Sequence, residues 1–148
     1  MSARTIQLHR VLRAPPEAVY RAFLEPGAIA KWLPPFGFTC SVEQMDVRVG
    51  GTFRMSFHNF RRSAGHSFGG TYLDLEPSTL IRYTDVFDDA TLPGTMVTTV
   101  RIEPVLCGSA LTVEQENVPA AIPLEFCYLG WQESLVQLAQ LVEPDIPA

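Results

Sequence analysis

The order of elements constrains this chain most. Strand-like runs fill its middle, and one long amphipathic helix closes it. In MDVRVGGTF (45–53), two apolar runs meet at Gly50 and Gly51, and GGTYLDLEPSTLIRYTDVF (69–87) adds a second hairpin-like pair. The helix contains GWQESLVQLAQLV (130–142). Strands joined by short links favour an antiparallel meander, which can bury its apolar face only against a covering layer. The expected fold is α+β: a curved antiparallel sheet of six to seven strands wrapped around the C-terminal helix. Such a fold readily leaves an apolar hollow between the two layers.

Alternation at residues 5–12 places Ile6 and Leu8 on one face and predicts the first strand. Pro15, Pro16 and Glu17 start a helix, because proline suits the first turn and an acid suits the positive end of the helix dipole. Its apolar stripe is Val19, Ala22 and Phe23. Pro26 and Gly27 break it, and residues 28–33 form a second short helix stopped by Pro34 and Pro35. Strands are expected at 38–49, 52–60, 68–75, 80–87, 95–105 and 110–116. Phe53, Met55 and Phe57 share one face, and residues 61–65 form a polar loop. The last helix is expected over 123–142, with Leu124, Tyr128, Trp131, Leu135, Leu138 and Val142 as one apolar stripe. Gln132, Glu133, Gln137 and Gln140 cover its other face.

With 148 residues, 47% of them hydrophobic, the chain is expected to form one domain over 1–148 with a real core. A net charge of -5 argues against a nucleic-acid partner, since phosphate binding needs a basic face. No apolar run reaches the ~18–20 residues of a membrane span, and no signal-peptide pattern opens the chain. Cys40, Cys107 and Cys127 are odd in number and lack metal or redox spacing, so unpaired thiols and a cytoplasmic location are expected.

Site candidates follow from residue type and face. Gly50 and Gly51 read as a tight turn, because no phosphate-binding motif surrounds them. Asp46 and Arg48 read as an ion pair. His58 and His66 flank the 59–65 loop and are candidates for a cavity mouth, and no histidine pair has metal-ligand spacing. No metal or other cofactor is expected. Tyr83 and Asp85 share one strand face and are the best candidate catalytic pair if that face points inward, although a bulge would invert it. Ligand-lining candidates are Trp32, Phe36, Phe53, Met55, Phe57, Tyr83, Phe87, Cys127, Gly130 and Trp131. Gly130 costs a helix ~1 kcal/mol relative to alanine, so it permits either close packing or room beside a ligand.

Four motifs in order carry a family resemblance: Trp32-Leu33-Pro34-Pro35; D-x-R-x-G-G-x-F at 46–53; G-x-Y-x-D-L-x-P at 70–77 with L-x-x-Y-T at 80–84; and G-W-x-x-S-L-x-x-L at 130–138. The chain resembles bacterial proteins similar to the C-terminal domain of the activator of the ninety-kilodalton heat-shock protein ATPase. These belong to the START-like, or SRPBCC, superfamily with the helix-grip fold. Leu33 stands where a second aromatic is common, and Cys127-Tyr128 replaces an often polar stretch. The length is expected to leave no room for the cochaperone's additional N-terminal domain. The resemblance implies binding of a small hydrophobic or amphipathic molecule in the interior. Two alternatives rank behind it: a cyclase, aromatase or hydrolase using the same cavity, although an enzyme is the less expected, or a cochaperone-like interaction module. A homodimer and a chaperone partner both stay open.

Overall fold

In a computed structural model, which describes residues 4–147, ten elements follow one another. They are β1 (Ile6–Leu12), α1 (Pro16–Leu24), α2 (Pro26–Trp32), β2 (Phe38–Met45), β3 (Thr52–Asn59), β4 (Ala64–Glu76), β5 (Leu80–Phe87), β6 (Met96–Val105), β7 (Gly108–Glu116) and α3 (Leu124–Val142). The strands form one antiparallel seven-stranded sheet in the order β1-β7-β6-β5-β4-β3-β2. The sheet is open and curved, and the two short helices and α3 lie against it. This is the expected α+β architecture.

Alternation explains the inner face. Phe53, Met55 and Phe57 of β3, Phe68 and Tyr72 of β4, and Ile81, Tyr83 and Asp85 of β5 are all buried. Two register shifts bend the sheet: one between Val42 and Gln44 against β3, the other between Tyr72 and Asp74 against β5. Each inserts a residue and so changes which parity faces inward. Val42 and Met45 therefore both pack on the core, as do Tyr72 and Leu75.

Several boundaries differ from the sequence reading. The expected strand 38–49 stops at Met45, because residues 46–51 close a turn in which Gly51 N–H donates to Arg48 O. A Cβ on Gly51 would meet Asp46 O at 2.1 Å, so the turn requires glycine there. Asp46 and Arg48 pair at 2.8 Å within this exposed turn rather than on a strand. β4 begins at Ala64, not 68, because pairing with β3 recruits the polar run that lacks alternation.

The helix α3 buries Trp131, Leu135 and Leu138. Tyr128 was expected beside them but is 37% exposed, and its hydroxyl instead accepts from Gln7 N–H on the free edge of β1. Glu133 and Gln137 do not simply face solvent. Gln137 Nε2 donates to Trp32 O at 3.0 Å and to Pro34 O at 2.6 Å, and Glu133 Oε1 accepts from Phe36 N–H. Ser134 Oγ lies 2.5 Å from Leu33 O. Together these bonds latch the segment after α2 onto α3.

Candidate functional site

Between α3 and the inner sheet face lies a hollow of about 190 Å³. Its floor comes from Phe57, Phe68, Tyr83, Asp85, Phe87, Met96 and Gln115, from five neighbouring strands. Cys127, Gly130, Trp131 and Ser134 of α3 form the roof, and Leu33 and Pro35 of the latched segment form one side. His66 stands at the rim, exposed along one edge. A narrow cleft of about 20 Å³ continues toward Phe53, Met55 and Tyr72 and shares Tyr83 and Asp85 with the hollow.

Eight of the sequence candidates meet around the hollow: Phe57, Tyr83, Asp85, Phe87, Cys127, Gly130, Trp131 and His66. Phe53 and Met55 line the cleft. Three others lie elsewhere. Trp32 is fully buried between α1 and α2, where its Nε1–H donates to Ala22 O at 2.8 Å and its ring meets Phe23 edge-on. Phe36 is 52% exposed. His58 pairs with Gly65, while its neighbour Phe57 pairs with His66. Successive strand residues face opposite ways, so His58 does not reach the hollow. The two histidines instead share an open groove with Asp88 and Asp89, and only His66 also lines the hollow. The 59–65 loop does not line the hollow.

Leu33, Pro35, Phe68, Met96, Gln115 and Ser134 were not singled out from the sequence. For Gln115 and Ser134 a signal existed: each is a polar residue in the inward register of an apolar stripe. Gly130 resolves its two readings, since a Cβ there would meet nothing within 4 Å. It leaves open space at the roof and serves no close contact.

The rim is aromatic. Phe57 and Phe68 meet edge to face with centroids 4.9 Å apart, and His66 sits 5.5 Å from Phe57 and 5.7 Å from Phe87. This apolar packing lowers the His66 pKa below its usual value, opposed by the nearby Asp89 carboxylate. Burial raises the Cys127 thiol pKa, and Cys40, Cys107 and Cys127 are all unpaired.

Across the floor runs a polar row set by register, since Tyr83 pairs with Thr98 and Thr98 with Gln115. Trp131 Nε1–H donates to Gln115 Oε1 at 3.3 Å, and Gln115 Nε2 donates to Thr98 Oγ1 at 3.1 Å. Thr98 also interacts with the Tyr83 hydroxyl, favouring its ionised form slightly. Gln115, Thr98 and the Trp131 indole are therefore partnered. Asp85, two residues beyond Tyr83 on the same face, is not: its Oδ1 is buried with no hydrogen-bond partner. Loss of water pushes its pKa up to about 8. Burial, and then the charge of Asp85, drive the Tyr83 pKa upward, so the phenol stays protonated.

This geometry, a curved sheet gripping a C-terminal helix, is what the resemblance implied. The model for the Activator of Hsp90 ATPase homolog 1-like proteins matches residues 13–143. The chain belongs to that family. A protein of known crystal structure from Chromobacterium violaceum is 61% identical, with a TM-score of 0.95 over 96% of this chain and 99% of that one. A Rhodobacter sphaeroides protein at 17% identity, TM-score 0.81, over 95% of this chain and 93% of its own, shares the fold. So does an Aeromonas hydrophila protein described as AHSA1-like, at 23% identity and TM-score 0.74, over 92% of this chain and 90% of its own. No curated protein matches the chain. Among the described residues no helix is long and apolar enough to cross a membrane. The family's fold is of a ligand-binding type.

Proposed function

We propose that this protein binds a small apolar or amphipathic molecule in the hollow under α3. The observation that carries this reading is the hollow itself: about 190 Å³ walled by aromatic rings, with a bare Gly130 in its roof. Helix propensity favours replacing such a glycine, and no neighbour forbids a side chain there. Affinity comes mainly from apolar burial at ~25 cal/mol per Å². An apolar cavity of ~150 Å³ holds benzene, which sets the scale at one ring plus a short substituent. The site is read as acting in the cytoplasm, with its thiols reduced.

The test is titration with a polarity-sensitive apolar dye and displacement by single-ring aromatics. Gly130→Leu fills the roof and is expected to abolish binding while the protein still melts cooperatively. Equal dye affinity in that variant would overturn the reading.

One observation favours a second reading, an enzyme. Asp85 is a buried carboxyl held near neutrality, as acid-base catalysis needs. It would move a proton at the carbon beside a carbonyl, the step that cyclisation and aromatisation share. Tyr83 would orient the carbonyl, since its phenol does not ionise near neutral pH. Deuterium uptake at that carbon of a small aryl ketone in heavy water, lost in Asp85→Asn, would support catalysis. No exchange above background would exclude it for such ketones.

A further inference from the structure

The hollow carries a chemical asymmetry that deepens the binding reading and rests on it. Asp85 is the residue on its floor with a buried oxygen, Oδ1, left without a partner, and the residue is 8% exposed. Burying a polar group without a hydrogen bond is costly, so a retained one marks a place where a ligand atom completes the pairing. The neighbouring polar groups do not do so: Thr98, Gln115 and the Trp131 indole bond to one another in one row, and Asp85 Oδ1 receives a bond from none of them.

The charge around Asp85 narrows the ligand further. Neither lysine nor arginine lines the hollow or the cleft. The other titratable groups facing it are His66 of β4, Cys127 of α3, Tyr83 of β5 and, from the cleft, Tyr72 of β4. Burial keeps the thiol and both phenols protonated, and packing disfavours the charged imidazole. A carboxylate or phosphate head would find no cation there. An ammonium head would find an acceptor at Asp85 within a lining that includes the aromatic rings of Phe57, Phe68 and Phe87, a residue type that attracts cations.

We propose that the hollow takes a small one-ring amine, with its ring under Gly130 and Trp131 and its protonated nitrogen donating to the Asp85 carboxylate. In the empty protein Asp85 is mostly protonated at pH 7, because its carboxyl is pushed up to about 8. The bound ammonium stabilises the carboxylate, so the carboxyl proton leaves to solvent as the ligand enters. Binding therefore releases about one proton at pH 7. It tightens as pH rises toward 8, while the amine still holds its own proton.

The experiment compares phenethylamine with 2-phenylethanol by calorimetry at pH 7, in two buffers of different ionisation enthalpy. The amine is expected to bind about tenfold tighter and to release a proton that the alcohol does not. In Asp85→Asn both the preference and the proton release should vanish. Equal affinities, an absent proton release, or a preference that survives Asp85→Asn would each overturn the inference. The wild-type comparison alone decides it if the variant fails to fold. If the alcohol binds and the amine gains nothing, only the amine assignment fails. If neither compound nor the dye binds, the binding reading fails with it.

Discussion

At the scale of single residues, two positions explain most of the site, and each can be tested alone. Asp85 has a folded-state pKa raised to about 8, well above its unfolded value. Below the unfolded value the carboxyl is neutral in both states and costs nothing extra. As pH rises toward 8 the unfolded chain loses the proton first, so stability falls by several kcal/mol before levelling. Thermal melts from pH 5 to 9 should show wild type losing stability relative to Asp85→Asn, and parallel curves would contradict the burial argument. Gly130 meets nothing that a methyl group would strike. Gly130→Ala is expected to raise stability by up to ~1 kcal/mol through helix propensity, as read by chemical denaturation. A loss instead would mean that the roof is tighter than its geometry.

At the scale of elements, the latch between α3 and the segment after α2 does work that its sequence conceals. Gln137 satisfies two backbone carbonyls left at the end of α2, those of Trp32 and Pro34. Gln137→Ala should cost ~1–3 kcal/mol, because those carbonyls lose a donor, whereas Gln140→Ala on the exposed face should cost little. Comparable losses in the two variants, by the same denaturation assay, would remove the latch. The strands were legible where alternation is clean: β5 at 80–87 coincides with its expected bounds. They were not legible where pairing overrides pattern, as at Ala64, or where the chain turns before its β-branched residues run out, as at Val47 and Val49. Helix stripes told which residues are apolar but not which neighbour each meets, so Tyr128 slid from core to edge.

At the scale of the whole molecule, the motifs located the family and its fold, while residue type alone did not separate core and surface aromatics from those beside the hollow. Trp32 and Phe36 are aromatic and adjacent to the site, yet one is core and the other surface. Aromatic content cannot separate core from cavity wall, because both need the same side chains. The inward face of Tyr83 and Asp85 was legible as a conditional, and it holds because both bulges lie outside β5. The two tryptophans give the most direct test of ligand binding in the hollow, since Trp131 lines it and Trp32 does not. Nitrogen-labelled protein, titrated with 2-phenylethanol, should show the Trp131 indole N–H resonance shifting to saturation while that of Trp32 stays in place. No saturable shift at Trp131, or an equal shift at Trp32, would contradict it.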